Sequence, residues 1–129
     1  MTARWSGRLW RWGPVAAYMA AIFYASSLSQ PTLPPGGDKP WHLLAYLGLA
    51  VVVVRALAGR LPSRITPRTV VTAIVIAVAY AASDELHQMY VPGRSADVRD
   101  LLADAVGVLC GTAACWAWGI ISPASRDEF

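Results

Sequence analysis

Acidic, histidine and basic side chains that could do chemistry are grouped in three short segments of this 129-residue chain. The segment 38–46 contains an Asp-Lys pair followed by a histidine and a tyrosine, which share one face if the segment is helical. The segment 83–88 reads Ser-Asp-Glu-Leu-His-Gln. The segment 91–104 contains a Pro-Gly-Arg sequence and then three aspartates that a helix would align in one stripe. Each segment borders an apolar stretch, so the three could meet at one end of a helical bundle.

Two kinds of chemistry suit these residues. A carboxylate beside a histidine can act as an acid–base pair, and an arginine or lysine can bind a phosphate or carboxylate group. We predict acid–base roles for Asp84, Glu85, His87 and Asp100. We predict binding and orienting roles for Asp38, Lys39, His42, Tyr46, Gln88, Arg94, Asp97 and Asp104.

Histidines and carboxylates are also metal ligands, but the chain has neither an HExxH nor a CxxC spacing. Metal binding is therefore the weaker interpretation of these residues. We predict no metal site, and the sequence does not indicate which cofactor, if any, the protein uses.

The same residues also have simpler structural interpretations. Pro92 and Gly93 predict a type II turn that folds Arg94 back toward the helices. Ser95 is the predicted N-cap of the fourth helix, and an aspartate in the next turn suits the positive helix end. Capping does not explain Asp104, which lies about two turns further along. The whole set could also be a buried polar network that serves only packing.

The composition indicates which kind of protein positions these residues. Hydrophobic residues make up 56% of the chain and charged residues 15%, with a mean hydropathy of +0.43. An average soluble domain has about 25% charged residues. The shortage of charge argues against a soluble enzyme and a disordered chain, and the net charge of +3 is too small to indicate a nucleic-acid binder. A membrane is the environment that this composition favours.

Four apolar stretches predict an all-α bundle of four transmembrane helices, at about residues 13–28, 41–58, 68–88 and 97–121. They form one membrane domain over residues 13–122, between a basic leader at 1–12 and a tail at 123–129. The second and third stretches are short, but flanking arginines can extend them by reaching the interface. In an alternative interpretation, the first stretch is a cleaved signal peptide.

The basic residues predict the orientation of this bundle. Eight of the 11 basic residues lie in the leader, in the loop 55–68 and in the tail, whereas three lie in the other two loops. Basic loops remain in the cytoplasm, so we expect both termini to be cytoplasmic in a multi-pass protein of the cell membrane. Six of the eight acids and both histidines would then face the outside.

The ordered residues resemble a known family. The chain has Ser26-Ser27 and Gln30-Pro31, then Asp38-Lys39 with His42 and Tyr46, then Ser83-Asp84-Glu85-Leu86-His87-Gln88, and finally Pro92-Gly93-Arg94 followed by Asp97, Asp100, Asp104, Gly107 and Gly111. This pattern is similar to the VanZ-like family of small bacterial membrane proteins. The resemblance implies an integral membrane protein, and in some members a lowered susceptibility to the glycopeptide teicoplanin. It does not imply an established catalytic mechanism.

Three functional hypotheses follow from these observations. The first is an outward-facing site that acts on the cell envelope, with a lipid-linked precursor or a glycopeptide as its partner. The second is a non-catalytic binder of a lipid or an amphipathic ligand. The third, a transporter, is weaker because the ionisable groups lie at one end of the spans and not at the membrane midplane. The sequence leaves the oligomeric state open.

Overall fold

The computed structural model describes residues 2–28, 39–94 and 96–122, and these residues form four α-helices. Their bounds are α1 Thr2–Ser27, α2 Lys39–Ala58, α3 Pro67–Gln88 and α4 Val98–Ile121. The described residues contain no strand, so the predicted all-helical class is confirmed. The predicted site residue Asp38 and the predicted tail 123–129 lie outside the described residues.

Three of the helices are long and apolar enough to cross a membrane, namely α2, α3 and α4. The remaining described helix, α1, is less apolar than these three. Three arginines precede its apolar half, and tryptophans and tyrosines interrupt the helix. The helix is continuous through Pro14, so the basic leader forms the first part of α1. The fourth span and the cytoplasmic termini therefore stay predictions.

Large apolar side chains cover the outside of the bundle. Val75 on α3 and Leu102 on α4 are each 61% exposed. Such a surface would be costly in water over this much of the chain, whereas lipid tails are a suitable solvent for it. The pattern favours embedding of the three apolar helices in a bilayer.

The core depends on close packing of α2 against α4, the most extensive helix pair in the bundle. Gly107 of α4 lies against the backbone of Leu43, and a Cβ at this position would collide with the Leu43 carbonyl oxygen. Gly111, one turn later, lies in the same way against the backbone of Leu47. Small residues that allow two backbones to approach are typical of helix pairs in membranes. This packing determines how close the N-terminal halves of α2 and α4 come.

The N-termini of α3 and α4 are capped by side chains. Thr66 accepts a hydrogen bond from the backbone N–H of Thr69 at 3.1 Å, immediately before Pro67. Asp97 caps α4 by accepting from the N–H of Arg99 at 2.8 Å. α4 begins only at Val98, which is too late for the predicted cap at Ser95, a residue outside the described ranges. Asp97, with its extended backbone and short carboxylate, occupies the capping position instead.

Candidate functional site

The predicted polar residues meet at one end of the bundle, where α2 begins, α3 ends and α4 begins. They are divided there into two groups on different sides of α3. The first, which we call the acid–histidine cluster, consists of His42, Glu85, Asp100 and Asp104. The second, the Asp84 network, consists of Asp84, Ser26 and Tyr46.

A hydrogen-bonded pair forms the deepest part of the acid–histidine cluster. Nδ1 of His42 lies 2.8 Å from Oδ1 of Asp104. Asp104 is completely buried, and only 10% of the His42 side chain is exposed. With its Nδ1 bound to a carboxylate, the imidazole is fixed in orientation and directs Nε2 toward Asp100, whose Oδ2 is 4.0 Å away.

Glu85 and Asp100 complete this cluster from α3 and α4. Glu85 is 6% exposed, and its Oε2 accepts a hydrogen bond from the backbone N–H of Asp97 at 3.1 Å. Asp100 is equally buried, and its Oδ1 accepts a hydrogen bond from the Nζ of Lys39 at 3.3 Å. The helix N-cap and the lysine therefore hold the two carboxylates in place, each through one oxygen.

Two buried oxygens in this cluster have no hydrogen-bond partner among the described residues, Oε1 of Glu85 and Oδ2 of Asp104. Buried polar atoms are almost always paired, and an unpaired one costs about 1–3 kcal/mol. Such an atom calls for an explanation, which is strain, a functional role or a bound water or ion. The unpaired oxygens distinguish this cluster from an ordinary packing network.

One ligand atom from each of His42, Glu85 and Asp100 lies within 4.8 Å of the others. An imidazole nitrogen and carboxylate oxygens this close together could activate a water molecule or share a cation. The rim of the cluster is formed by Lys39 and Asp97, whose side chains are 47% and 42% exposed and lie 3.9 Å apart. A polar group could therefore approach the cluster from the end of the bundle.

Among the described residues, every oxygen of the Asp84 carboxylate has a hydrogen-bond partner. Oδ1 of Asp84 accepts a hydrogen bond from the hydroxyl of Ser26 in α1, and Oδ2 accepts one from the Tyr46 hydroxyl at 3.0 Å. Asp84, Ser26 and Tyr46 are all buried. This carboxylate connects α1, α2 and α3, and its contacts are those of a structural residue.

His87 and Arg94 lie on the α1 side of the bundle, away from the acid–histidine cluster. The His87 ring stacks on Phe23 with centroids 4.5 Å apart, and its Nε2 is 3.0 Å from the Ser27 hydroxyl. Arg94 donates to the carbonyl oxygens of Leu28 at 2.9 Å and Ala25 at 3.2 Å. The arginine thus caps the C-terminal end of α1.

The turn before α4 is the one that the Pro-Gly pair predicts. The N–H of Arg94 donates to the carbonyl of Val91 at 3.1 Å, and Gly93 has a φ of 80°. A positive φ at the third turn position is the feature that makes a type II turn favour glycine. The turn brings Arg94 back to the helices, but its guanidinium reaches α1 carbonyls there.

The sequence predicts that the polar residues lie at one end of the bundle, but not that they form two separate groups there. It grouped Asp84 and His87 with Glu85 as acid–base residues, although consecutive helix positions point about 100° apart. The predicted binding residue Gln88 is buried at the end of α3. Ser26 and Ser27 were noted only as part of the family pattern, and no residue-level signal identified them as partners of Asp84 and His87.

The family model described as VanZ/LLP1 matches residues 14–121, which includes all four helices in whole or in part. No curated protein and no solved structure matches the chain significantly.

Proposed function

The chain belongs to the VanZ/LLP1 family, and we propose that its acid–histidine cluster acts on an amphipathic molecule of the cell envelope. The observation that carries this proposal is the pair of unpaired, buried carboxylate oxygens beside a histidine fixed by Asp104. A chain that needed these residues only for packing would gain stability by pairing those oxygens. The cost is understandable if the groups serve chemistry.

The chemistry that suits this cluster is activation of a water molecule or hydroxyl for hydrolysis or group transfer. Such a reaction needs a group that removes a proton, and an environment that excludes bulk water strengthens the electrostatic interactions involved. His42, Glu85 and Asp100 supply nitrogen and oxygen atoms within 4.8 Å. Asp104 would act as a positioning residue, because it contacts the far side of the His42 ring.

The substrate class follows from where the cluster lies. Its rim contains the half-exposed cation Lys39, and Trp41, which is largely exposed, follows two positions later. A lysine next to an aromatic side chain at a helix end suits a molecule with an anionic head and an apolar tail. Lipid-linked envelope precursors and lipid-bearing glycopeptides such as teicoplanin have this character.

We extend the proposal to the topology. Four spans with both termini in the cytoplasm would put the loop 59–66, with Arg60 and Arg64, inside and the acid–histidine cluster outside. An outward-facing cluster would meet envelope precursors and antibiotics on the side where they occur. Lowered glycopeptide susceptibility is the cellular outcome that we expect from this arrangement.

The two histidines provide a matched test of the proposal. A bacterial strain whose glycopeptide susceptibility depends on this protein would express the His42→Ala or the His87→Ala variant at equal membrane levels. We expect His42→Ala to restore full susceptibility and His87→Ala to leave it unchanged, because only His42 belongs to the cluster. If the strain that expresses His42→Ala remained fully protected against the glycopeptide, the proposed role of the cluster would be overturned.

A non-catalytic binder is the second candidate, and the Lys39 rim is the observation that favours it. The two functions differ in the fate of the ligand. Purified protein would be incubated with teicoplanin and with an extract of membrane lipids, and the products would be analysed by mass spectrometry. A covalently changed product that depends on Glu85 supports catalysis, whereas an unchanged ligand that remains bound supports the binder.

A further inference from the structure

We infer that the acid–histidine cluster is a binding site for a divalent transition-metal cation of the Zn²⁺ type, with His42, Glu85 and Asp100 as its ligands. The inference rests on the proposed function in one respect, since it names the ion that would activate water in the same cluster. The ligand set consists of one imidazole and two carboxylates from three different helices.

The distances suit a single ion. Ligand atoms on one Zn²⁺ are separated by no more than twice the metal–ligand bond length, about 4.4 Å for bonds of about 2.0–2.2 Å. The three ligand atoms lie within 4.8 Å of one another. Small rotations of the side chains would bring them to the shorter separations that Zn²⁺ requires.

An independent observation also points to a cation at this site. Oε1 of Glu85 is buried without a hydrogen-bond partner, and so is Oδ2 of Asp104. Both residues are more than nine-tenths buried. A metal ion is the partner that would offset the cost of burying a bare carboxylate oxygen in a region that excludes water.

The charge balance leads to the same conclusion. Glu85, Asp100 and Asp104 are three buried carboxylates at one helix-bundle end. The cations near them are Lys39, which is half-exposed, and His42 when it is protonated. Buried charges are normally paired or coordinate metals, and a divalent cation would compensate the excess of negative charge.

The surroundings of His42 are those of a metal-binding histidine. Such a histidine donates a hydrogen bond from its other ring N–H, the one that does not touch the metal, to a carboxylate or a carbonyl, which fixes the ring and strengthens the ligand. Here Nδ1 is 2.8 Å from Asp104, while Nε2 is directed toward Asp100. Asp104 would be the supporting carboxylate in this arrangement.

The donor types select among metals. Mg²⁺ and Ca²⁺ are bound mainly by oxygen, whereas a mixture of imidazole and carboxylate is typical of Zn²⁺ and its first-row neighbours. Three protein ligands leave a fourth position for water, as in catalytic zinc sites. The ion would then lower the pKa of that water and supply the nucleophile, with His42 as a ligand and not as the base.

The test is direct metal binding by the full-length chain in detergent, purified through a tag without histidine and treated with a chelator. Zn²⁺ would be titrated in competition with a chromophoric chelator, and bound metal would be measured after gel filtration. We expect one Zn²⁺ per chain and much weaker binding of Mg²⁺ and Ca²⁺. If the unmutated protein does not bind one Zn²⁺ per chain, the inference is overturned by that result alone.

Isosteric variants then locate the ion. Glu85→Gln and Asp100→Asn should abolish or strongly weaken Zn²⁺ binding, and Asp104→Asn should weaken it about 10–100-fold, as expected for a supporting carboxylate. Asp84→Asn is the matched control, because Asp84 is the neighbouring buried acid of the same helix. Cys110→Ser controls for binding to the exposed thiol. Equal weakening by Asp84→Asn or by Cys110→Ser contradicts the assigned ligands.

Failure of this inference and failure of the proposed function give different results. If no zinc binds but His42→Ala still restores glycopeptide susceptibility, the metal site is wrong and the functional proposal stands. If zinc binds and Glu85→Gln removes it while His42→Ala leaves susceptibility unchanged, the metal site stands and the functional proposal is wrong.

Discussion

Asp84 and Glu85 are neighbours in α3, yet their carboxylates belong to clusters of opposite character. Both residues are buried, at 4% and 6% exposed. Each oxygen of Asp84 accepts a hydroxyl hydrogen bond, from Ser26 or from Tyr46. Glu85 accepts a single backbone N–H and retains one unpaired oxygen in the acid–histidine cluster.

This difference shows how a structural carboxylate can be told from a functional one when both have the residue type of a catalytic group. Burial and residue type are the same for the two carboxylates, so neither property decides between them. The state of their hydrogen bonds does decide, because a satisfied buried carboxylate stabilises the fold whereas an unsatisfied one costs stability. We expect the Asp84 network to affect stability and the acid–histidine cluster to affect activity.

The largest effect is expected where α4 approaches α2. Gly107→Ala introduces a Cβ that collides with the Leu43 carbonyl, and overpacking of this kind costs about 3 kcal/mol. Alanine regains about 1 kcal/mol of helix propensity, so the free energy of unfolding should fall by about 2 kcal/mol. Because α4 supplies Asp100 and Asp104, protection against glycopeptide should fall as well.

The control for this change is Gly13→Ala in α1, where an added Cβ meets nothing within 4 Å. It should leave stability unchanged or raise it slightly, as measured by denaturant or thermal unfolding in detergent. Equal losses from both alanine variants would show that the α2–α4 contact has no special role.

A smaller loss is expected from Tyr46→Phe, which removes one hydroxyl from the Asp84 network and nothing from the acid–histidine cluster. Hydrogen bonds inside membranes contribute up to about 1–2 kcal/mol, and the variant leaves Oδ2 of Asp84 buried without a partner. The free energy of unfolding should fall by about 1 kcal/mol. Protection against glycopeptide, normalised to the amount of folded protein, should be unchanged. Tyr24→Phe, at a position 69% exposed, should have no effect on either property.

The smallest effect is expected from Arg94→Ala. The guanidinium donates to two carbonyls at the end of α1, and it is partly exposed. Loss of these exposed hydrogen bonds should cost about 0.5 kcal/mol and should loosen the end of α1 in hydrogen-exchange measurements. Arg99→Ala, at an exposed position of α4, is the control. Loss of activity at unchanged stability would mean that Arg94 binds an anionic ligand instead.

The sequence was sufficient for the coarse fold and for the location of the candidate site. Uninterrupted apolar stretches predicted the all-helical class, and the charge pattern put the polar residues at the same helix ends. The length of α1 was underestimated, because the arginines and tryptophans of the leader are compatible with a helix that need not be apolar. Capping by Asp97 in place of Ser95 was missed because both residue types are good N-caps.

The division of the site could not be predicted, because it depends on how α3 is rotated between α1 and α4. A helical pattern gives the angle between Asp84 and Glu85 but not which neighbouring helix each one faces. The three atoms that could share a metal come from α2, α3 and α4, so no local spacing reveals them. The absence of an HExxH or a CxxC motif therefore had no bearing on a site assembled by tertiary packing.

The most direct test of this account is to measure stability and activity side by side for Glu85→Gln and Asp84→Asn. Glu85→Gln should abolish protection against glycopeptide and leave the free energy of unfolding unchanged or higher, because it removes a buried charge with an unpaired oxygen. Asp84→Asn should lower stability and retain protection per folded molecule. Loss of protection in Asp84→Asn with full protection in Glu85→Gln would contradict the account.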